Sequence, residues 1–159
     1  MKIEIVKLDD FGRGICFVND KVTFVPNTVP GDIANIKIIK EHKKYNEAIL
    51  VDLVNPSSNR IDALCPYFGI CGGCTLQTLS YEKGIDYKKE KVINYFKKMG
   101  LIINPSLITS DTPYNYRNKA QFPVGLNKQG EMQVGVFAQR THEIIGIKEC
   151  FIQNIEAQK

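Results

Sequence analysis

From residue 1 to about 54, apolar and polar side chains alternate in short runs, the period of two that marks half-buried strands. Ile3-Glu4-Ile5-Val6 opens the series. Phe11-Gly12-Arg13-Gly14 turns into the dense run Ile15-Cys16-Phe17-Val18, and Asn19-Asp20 turns again into Val22-Thr23-Phe24-Val25, which Pro26 ends. Pro30-Gly31-Asp32 leads into a fourth run, Ile33 to Ile39, and Tyr45 to Val54 reads as a longer fifth strand. Five strands at near-regular spacing predict a small closed β-barrel. Pro56-Ser57-Ser58-Asn59 breaks the pattern and reads as a linker, which divides the chain into regions 1–56 and 57–159.

The period then changes. Tyr81, Ile85, Val92, Phe96 and Met99 fall on one side of a helix, with Lys88, Lys91, Lys97 and Lys98 largely elsewhere. Ser80 stands at the capping position, Gly100 stops the helix and Pro105 lies beyond it, so the helix is predicted over 81–100. Three further strands are predicted at 119–124, 133–137 and 143–147, the first two joined by a hairpin turn at 127–130, and Cys150 follows directly. The predicted class is mainly β, with an α+β second region.

A chain of 159 residues with 43% hydrophobic and 24% charged positions has globular composition, which excludes disorder as its ground state. A net charge of +4 permits a nucleic-acid partner without demanding one. No apolar stretch reaches membrane-spanning length, and the start, MKIEIVKLDD, offers no signal-peptide core. The expectation is a cytoplasmic protein with no membrane partner.

Cysteine usage narrows the chemistry. Cys65, Cys71 and Cys74 lie within ten residues, joined through Gly72-Gly73. Thiolates so crowded repel one another unless a cation takes up their charge, and adjacent glycines let backbone N–H groups approach sulfur. In a reducing compartment this spacing reads as metal binding rather than cross-linking. Cys71 and Cys74 have the spacing of a zinc pair, but Cys65 is five residues further off. An asymmetric trio with one remote cysteine is closer to a single iron–sulfur cluster; zinc and unliganded buried thiols remain open alternatives. A closed four-cysteine site is architectural rather than catalytic. Cys16, inside an apolar strand, reads as core filler.

Three clusters are candidates for contact with nucleic acid: Phe11 with Arg13 on a barrel loop, the basic run from Lys37 to Tyr45 that holds Lys43 and Lys44, and Tyr116-Arg117-Asn118-Lys119. Rings stack on bases and cations meet phosphate. His42 and His142 have no partner nearby in sequence and read as surface residues. There is no nucleotide-binding glycine fingerprint and no Ser/His/Asp arrangement, so no catalytic residue is assigned.

Together, Cys65-x5-Cys71-Gly72-Gly73-Cys74-Thr75-Leu76-Gln77, the strand-rich start, Tyr116 to Lys119 and the late Cys150 resemble the first part of the bacterial RNA uracil-5-methyltransferases. The resemblance implies an RNA-binding TRAM domain, an OB-like five-stranded barrel, over 1–56 and an iron–sulfur region over 57–159. It implies a [4Fe–4S] cluster on Cys65, Cys71, Cys74 and Cys150, with zinc as the alternative metal. It implies 23S rRNA or tRNA as partner, bound through Phe11, Arg13, Lys43, Lys44, Tyr116, Arg117 and Lys119. In that family a further domain binds S-adenosylmethionine; its cysteine attacks uracil C6 of a flipped-out base before the methyl group reaches C5. This sequence stops before any match to that domain, so the chain is expected to be an inactive RNA-holding portion whose helix 81–100 leans on the methyltransferase domain. Two rival readings are a stand-alone RNA-binding iron–sulfur module and a small electron-transfer protein.

Overall fold

The computed structural model describes every residue except Lys128 and Lys159. The chain forms two compact units, one made of Met1–Asp62 with Thr78–Thr109, the other of Ala63–Gln77 with Ser110–Lys159. This division differs from a boundary after residue 56. The chain leaves the first unit at Asp62, returns to it at Thr78 and leaves again after Thr109, so the helix belongs with the barrel.

The first unit holds β1 (Lys2–Glu4), β2 (Lys7–Leu8), β3 (Gly14–Val18), β4 (Lys21–Val25), β5 (Ile33–Glu41) and β6 (Tyr45–Asn55). The sheet order is β1-β5-β6-β4-β3-β2, antiparallel except for β4 beside β6. β1 and β2, at the two ends of that order, are successive pieces of one bent strand. The switch of partner falls at Ile5 and Val6: Ile5 N–H donates to Asp32 O at 2.9 Å, and Val6 N–H donates to Ile15 O at 2.9 Å. The sheet therefore curls back onto its own first strand, as the five-run pattern predicted, with no unpaired edge through the bend.

Alternation puts Ile5, Cys16, Val18, Val25, Ala34, Ile36 and Ala48 inside, with Ile3, Ile38, Leu50 and Leu53 packed around them. The β3–β4 turn is tight because Asn19 (φ 48°) and Asp20 (φ 60°) both take left-handed conformations, which short polar side chains tolerate. Gly14 is required by close approach, since a β-carbon there would overlap the Thr28 hydroxyl, which donates to Val25 O at 2.7 Å.

The segment read as a linker is latched. Asp32 has no solvent exposure, and its carboxylate accepts hydrogen bonds from Val29 N–H (2.8 Å), Ser57 N–H (3.0 Å), and Arg60 Nε and Nη2 (3.0 and 2.7 Å). Arg60 also donates to Asn27 O at 2.9 Å. Arg60 in turn bridges Leu79 in antiparallel sense, and Ser80 N–H donates to Asn59 O at 2.9 Å. Ser57 to Arg60 thus ties the barrel to the start of the helix.

The helix, α1 (Tyr81–Lys98), is shorter than the predicted 81–100. Ser80 sits at its N-cap, but its side chain makes no capping bond; its carbonyl accepts from Gly84 N–H instead. Tyr87 Oη donates to Asp9 O at 2.7 Å and Lys91 Nζ to Asp10 O at 2.6 Å, so contact with the barrel loop runs through polar residues. Of the apolar stripe, Val92 is 42% and Met99 64% exposed.

The second unit holds the cysteine loop, a three-stranded antiparallel sheet of β7 (Val124–Leu126), β8 (Met132–Phe137) and β9 (Ile144–Gly146), and a 3-10 turn at Ile155–Gln158. A β-carbon on Gly135 would overlap the Ile145 carbonyl, so glycine is what lets β8 and β9 pair. The strand predicted at 119–124 is not one: only Val124 joins the sheet, while Arg117 bridges Gln153 in parallel sense. The predicted turn at 127–130 includes Lys128, outside the described residues; Gly130 N–H donates to Asn127 O at 3.0 Å.

Burial pushes the Asp32 carboxyl up, but Arg60 and the two amides outweigh it and hold it below the usual carboxylate range. A depressed folded-state value stabilises the fold above the unfolded value, about pH 3.9, and that stability is lost as pH falls through the depressed value. Arg60→Ala leaves a buried, unpaired carboxylate and is expected to cost about 3–5 kcal/mol in urea unfolding near neutral pH. Asp32→Asn should remove the part of the acid-induced loss that this carboxyl contributes; an unchanged acid profile would show that Asp32 does not carry it.

Candidate functional site

Cys65, Cys71, Cys74 and Cys150 all line one cavity of about 600 Å³ in the second unit. The loop that carries the first three is built from short turns: Phe68 N–H donates to Cys65 O at 3.1 Å and Cys71 N–H to Tyr67 O at 2.8 Å. Cys71 bridges Ala138 just past β8, with Gly72 N–H donating to Phe137 O at 3.2 Å and Gln139 N–H to Ile70 O at 2.9 Å. Tyr67 Oη accepts from Lys148 N–H at 3.2 Å. The loop is thus bound to the meander that carries Cys150.

Of the two glycines, one brings its N–H to sulfur. Gly73 N–H points at Cys71 Sγ at 3.3 Å. Gln77 ties the two ends of the trio together: its Oε1 accepts from Cys65 N–H at 3.3 Å and its side chain hydrogen-bonds the Cys74 thiol. Gln158 holds the remote cysteine, accepting from Cys150 N–H at 2.7 Å and donating to Cys150 O at 3.1 Å.

The thiols sense one another. Burial pushes the Cys74 thiol above its ordinary value; the Gln77 bond opposes this, and Cys71, Cys150 and Cys65 reinforce it. Burial likewise raises the Cys65 thiol, against the amides of Tyr67 and Phe68 and with help from Cys150 and Cys71. Such a set binds a metal by exchanging protons for a cation. Among the described residues, however, no group of three or more His, Cys, Asp or Glu side chains is drawn together as a ready-made site for a metal ion. The donor set fits a four-cysteine ligand sphere in identity and in shared cavity, and in that respect only.

Arg117 and Lys119, assigned from the sequence to RNA, line the same cavity. The backbone holds them there, with Arg117 N–H donating to Ile152 O and Asn154 N–H to Arg117 O, both at 2.8 Å. Tyr116 is exposed and does not line the cavity.

On the barrel, Arg13 is already engaged. Its Nε donates to Asp9 Oδ2 at 2.7 Å, and its guanidinium lies over Phe24 at 4.2 Å and Phe11 at 5.5 Å. Lys43 and Lys44 are exposed at the β5–β6 turn, which His42 N–H closes by donating to Tyr45 O at 2.9 Å. His42 does have partners, contrary to its reading as a lone surface residue: Glu47 Oε1 at 2.9 Å and the Tyr45 ring, stacked at 4.2 Å. His142 meets Phe137 edge-on at 5.8 Å. Sequence reasoning passed over Phe17 and Phe24. Their period-two placement, opposite in phase to Cys16 and Val25, was the signal that they face outward.

One unit is a barrel with outward rings and the other a cysteine-lined unit built on a three-stranded sheet, not the α+β region expected, and comparison with known proteins narrows the class. Residues 1–51 match the family model of the TRAM domain. The chain is 37% identical over 93% of its length to an uncharacterized RNA methyltransferase of Clostridium tetani, and 34% identical over 100% to one of Halalkalibacterium halodurans. It covers 32% and 35% of those proteins, so it spans about a third of the length of the curated relatives it matches. The crystal structure of Pyrococcus abyssi tRNA (uracil-54, C5)-methyltransferase in complex with S-adenosyl-L-homocysteine superposes with a TM-score of 0.65 at 25% identity, over 99% of this chain and 34% of that one. These likenesses support the RNA methyltransferase family. No helix among the described residues is long and apolar enough to cross a membrane.

Cys16 stands apart, 1% exposed, with burial pushing its thiol up to about 11. In the reduced, metal-free chain, iodoacetamide near pH 8 should label Cys65, Cys71, Cys74 and Cys150 while labelling Cys16 at least ~100-fold more slowly, since the thiolate is the nucleophile. Equal labelling of Cys16, read by peptide mass, would contradict the buried placement.

Proposed function

We propose that this chain is the RNA-holding portion of an S-adenosylmethionine-dependent RNA uracil-5-methyltransferase that acts in the cytoplasm on ribosomal or transfer RNA. The observation that carries the reading is the TRAM match over residues 1–51 in a chain similar along nearly all its length to RNA methyltransferases. The bound S-adenosyl-L-homocysteine of the Pyrococcus abyssi enzyme supports the choice of cofactor for the whole protein. Methyl transfer is assigned to the rest of that protein, and no residue of this chain is given a catalytic role.

The second part of the proposal is a [4Fe–4S] cluster held by Cys65, Cys71, Cys74 and Cys150. It is supported by their shared cavity and by the close spacing of the first three in sequence. When bound, such a cluster supplies a cross-link between the 65–74 loop and Cys150 and takes up thiolate charge. Gln77 and Gln158 orient the two ends of that cross-link. Phe11, Lys43 and Lys44 remain the proposed RNA contacts of the barrel, with Tyr116, Arg117 and Lys119 as contacts in the second unit; Arg13 serves by fixing its neighbouring rings.

Anaerobic preparation followed by iron and sulfide analysis is expected to give about four of each per chain. Stoichiometric zinc in a colourless protein would replace the cluster by the zinc alternative. RNA affinity should fall as salt rises, because lysine–phosphate contacts release counterions; affinity independent of salt would count against phosphate-mediated docking.

A further inference from the structure

The barrel carries a feature that neither the domain match nor the relatives assign. Side chains from the loop before β3, from β4, from the start of β6 and from the β5–β6 turn form a row of flat groups. Arg13 lies between the Phe11 and Phe24 rings, at 5.5 and 4.2 Å. The Phe24 ring meets Tyr45 edge-on at 5.6 Å, and Tyr45 stacks on His42 at 4.2 Å. A second file crosses beside it, because strand register sets Phe17 opposite Val22 and Val22 opposite Tyr45. Phe11 is 74% and Phe17 56% exposed, so these two rings offer faces to solvent, while Phe24 and Tyr45 are half-buried.

The charges around this face favour a polyanion. Two of its acids are spent internally: Asp9 on Arg13, and Glu47 on His42. Lys43 and Lys44 stand exposed at one end, and Lys21 beside them donates weakly to His42 O at 3.5 Å. Asp20 and Glu41 are the exposed acids of the same rim. The aliphatic part of the outer surface, Ile39, Ile49 and Val51, lies further along β5 and β6 and has no such ring file.

We propose that this row is a stacking site for unpaired RNA nucleotides, with bases laid on Phe11, Phe17 and Tyr45 and phosphates drawn to Lys43 and Lys44. The proposal rests on the RNA reading above and deepens it by naming the strand state and the residues. Every base has a π-face that a ring can cover, but in a duplex those faces are already stacked, so this face selects single strands. Arg13 acts as a spacer: Asp9 holds its guanidinium flat between two rings, which sets their positions before RNA arrives.

The test is fluorescence anisotropy of the full 159-residue chain with a labelled 12-nucleotide RNA, free or annealed to its complement. The parent is expected to bind the single strand in clear preference to the duplex. Phe11→Ala, Phe17→Ala and Tyr45→Ala should each weaken single-strand binding about tenfold. Tyr45→Phe, which keeps the ring, should retain the affinity, and Val51→Ala should leave it unchanged. Far-UV circular dichroism checks the fold, and Phe11 and Phe17 are exposed enough for their variants to preserve it. Binding of RNA with all three alanine variants within twofold of the parent overturns the stacking site while the RNA reading stands. Equal affinity for duplex overturns it too. Absence of binding to either RNA overturns both readings. Ring variants that alter the sedimenting mass of the chain, and not its RNA affinity, assign the face to a protein contact and overturn the proposal.

Discussion

Asp32 is a carboxylate without solvent contact, and the Arg60 guanidinium with two backbone amides is what keeps its charge in place. Much of the first unit hangs on that one contact. Asp32 directly precedes β5, and Arg60 lies 28 residues later, past the end of the barrel strands. The Arg60–Leu79 bridge and the bond from Ile61 N–H to Thr78 O then clamp the base of the excursion that carries three cysteines. A closed excursion loses less entropy when its tip is ordered than a free tail would.

The two units divide the physical work. In the second, four cysteines share one cavity, and backbone amides and two glutamines hold the segments that carry them. In the first, outward aromatic residues are left uncovered at a cost the barrel core has to bear, since exposed rings gain nothing from burial. An exposed ring file with its own acids neutralised makes sense as a surface with a ligand. Arg13 illustrates the point: a cation that the sequence suggests for phosphate is committed instead to Asp9 and two rings.

Much of the fold was legible. Alternation located β1 and β3 to β6 but not the short β2 (Lys7–Leu8), because a barrel this small needs its inward positions mostly apolar. Asn19-Asp20 announced its turn through two residues that tolerate left-handed backbone. What stayed hidden were contacts between residues far apart in sequence. Nothing near Arg60 signals Asp32, so Pro56 to Asn59 read as a linker and the boundary fell after residue 56, whereas α1 falls in one compact unit with the barrel. Of the strand predicted at 119–124 only Val124 formed one, while Arg117 just before it found backbone partners at Ile152 and Asn154, a parallel pairing that periodicity cannot reveal. For the site, the spacing of Cys65, Cys71 and Cys74 was plain, whereas the roles of Gln77 and Gln158 and the stacking of His42 on Tyr45 depended on the third dimension.

The central claim is that the barrel face of the first unit is where RNA lies. Photo-crosslinking of the full chain to a single-stranded RNA carrying 4-thiouridine, with the attached peptides identified by mass spectrometry, tests it directly. The account predicts crosslinks within residues 11–24 and 42–47. Crosslinks confined to the cysteine loop, to α1 or to the 116–119 segment would contradict it.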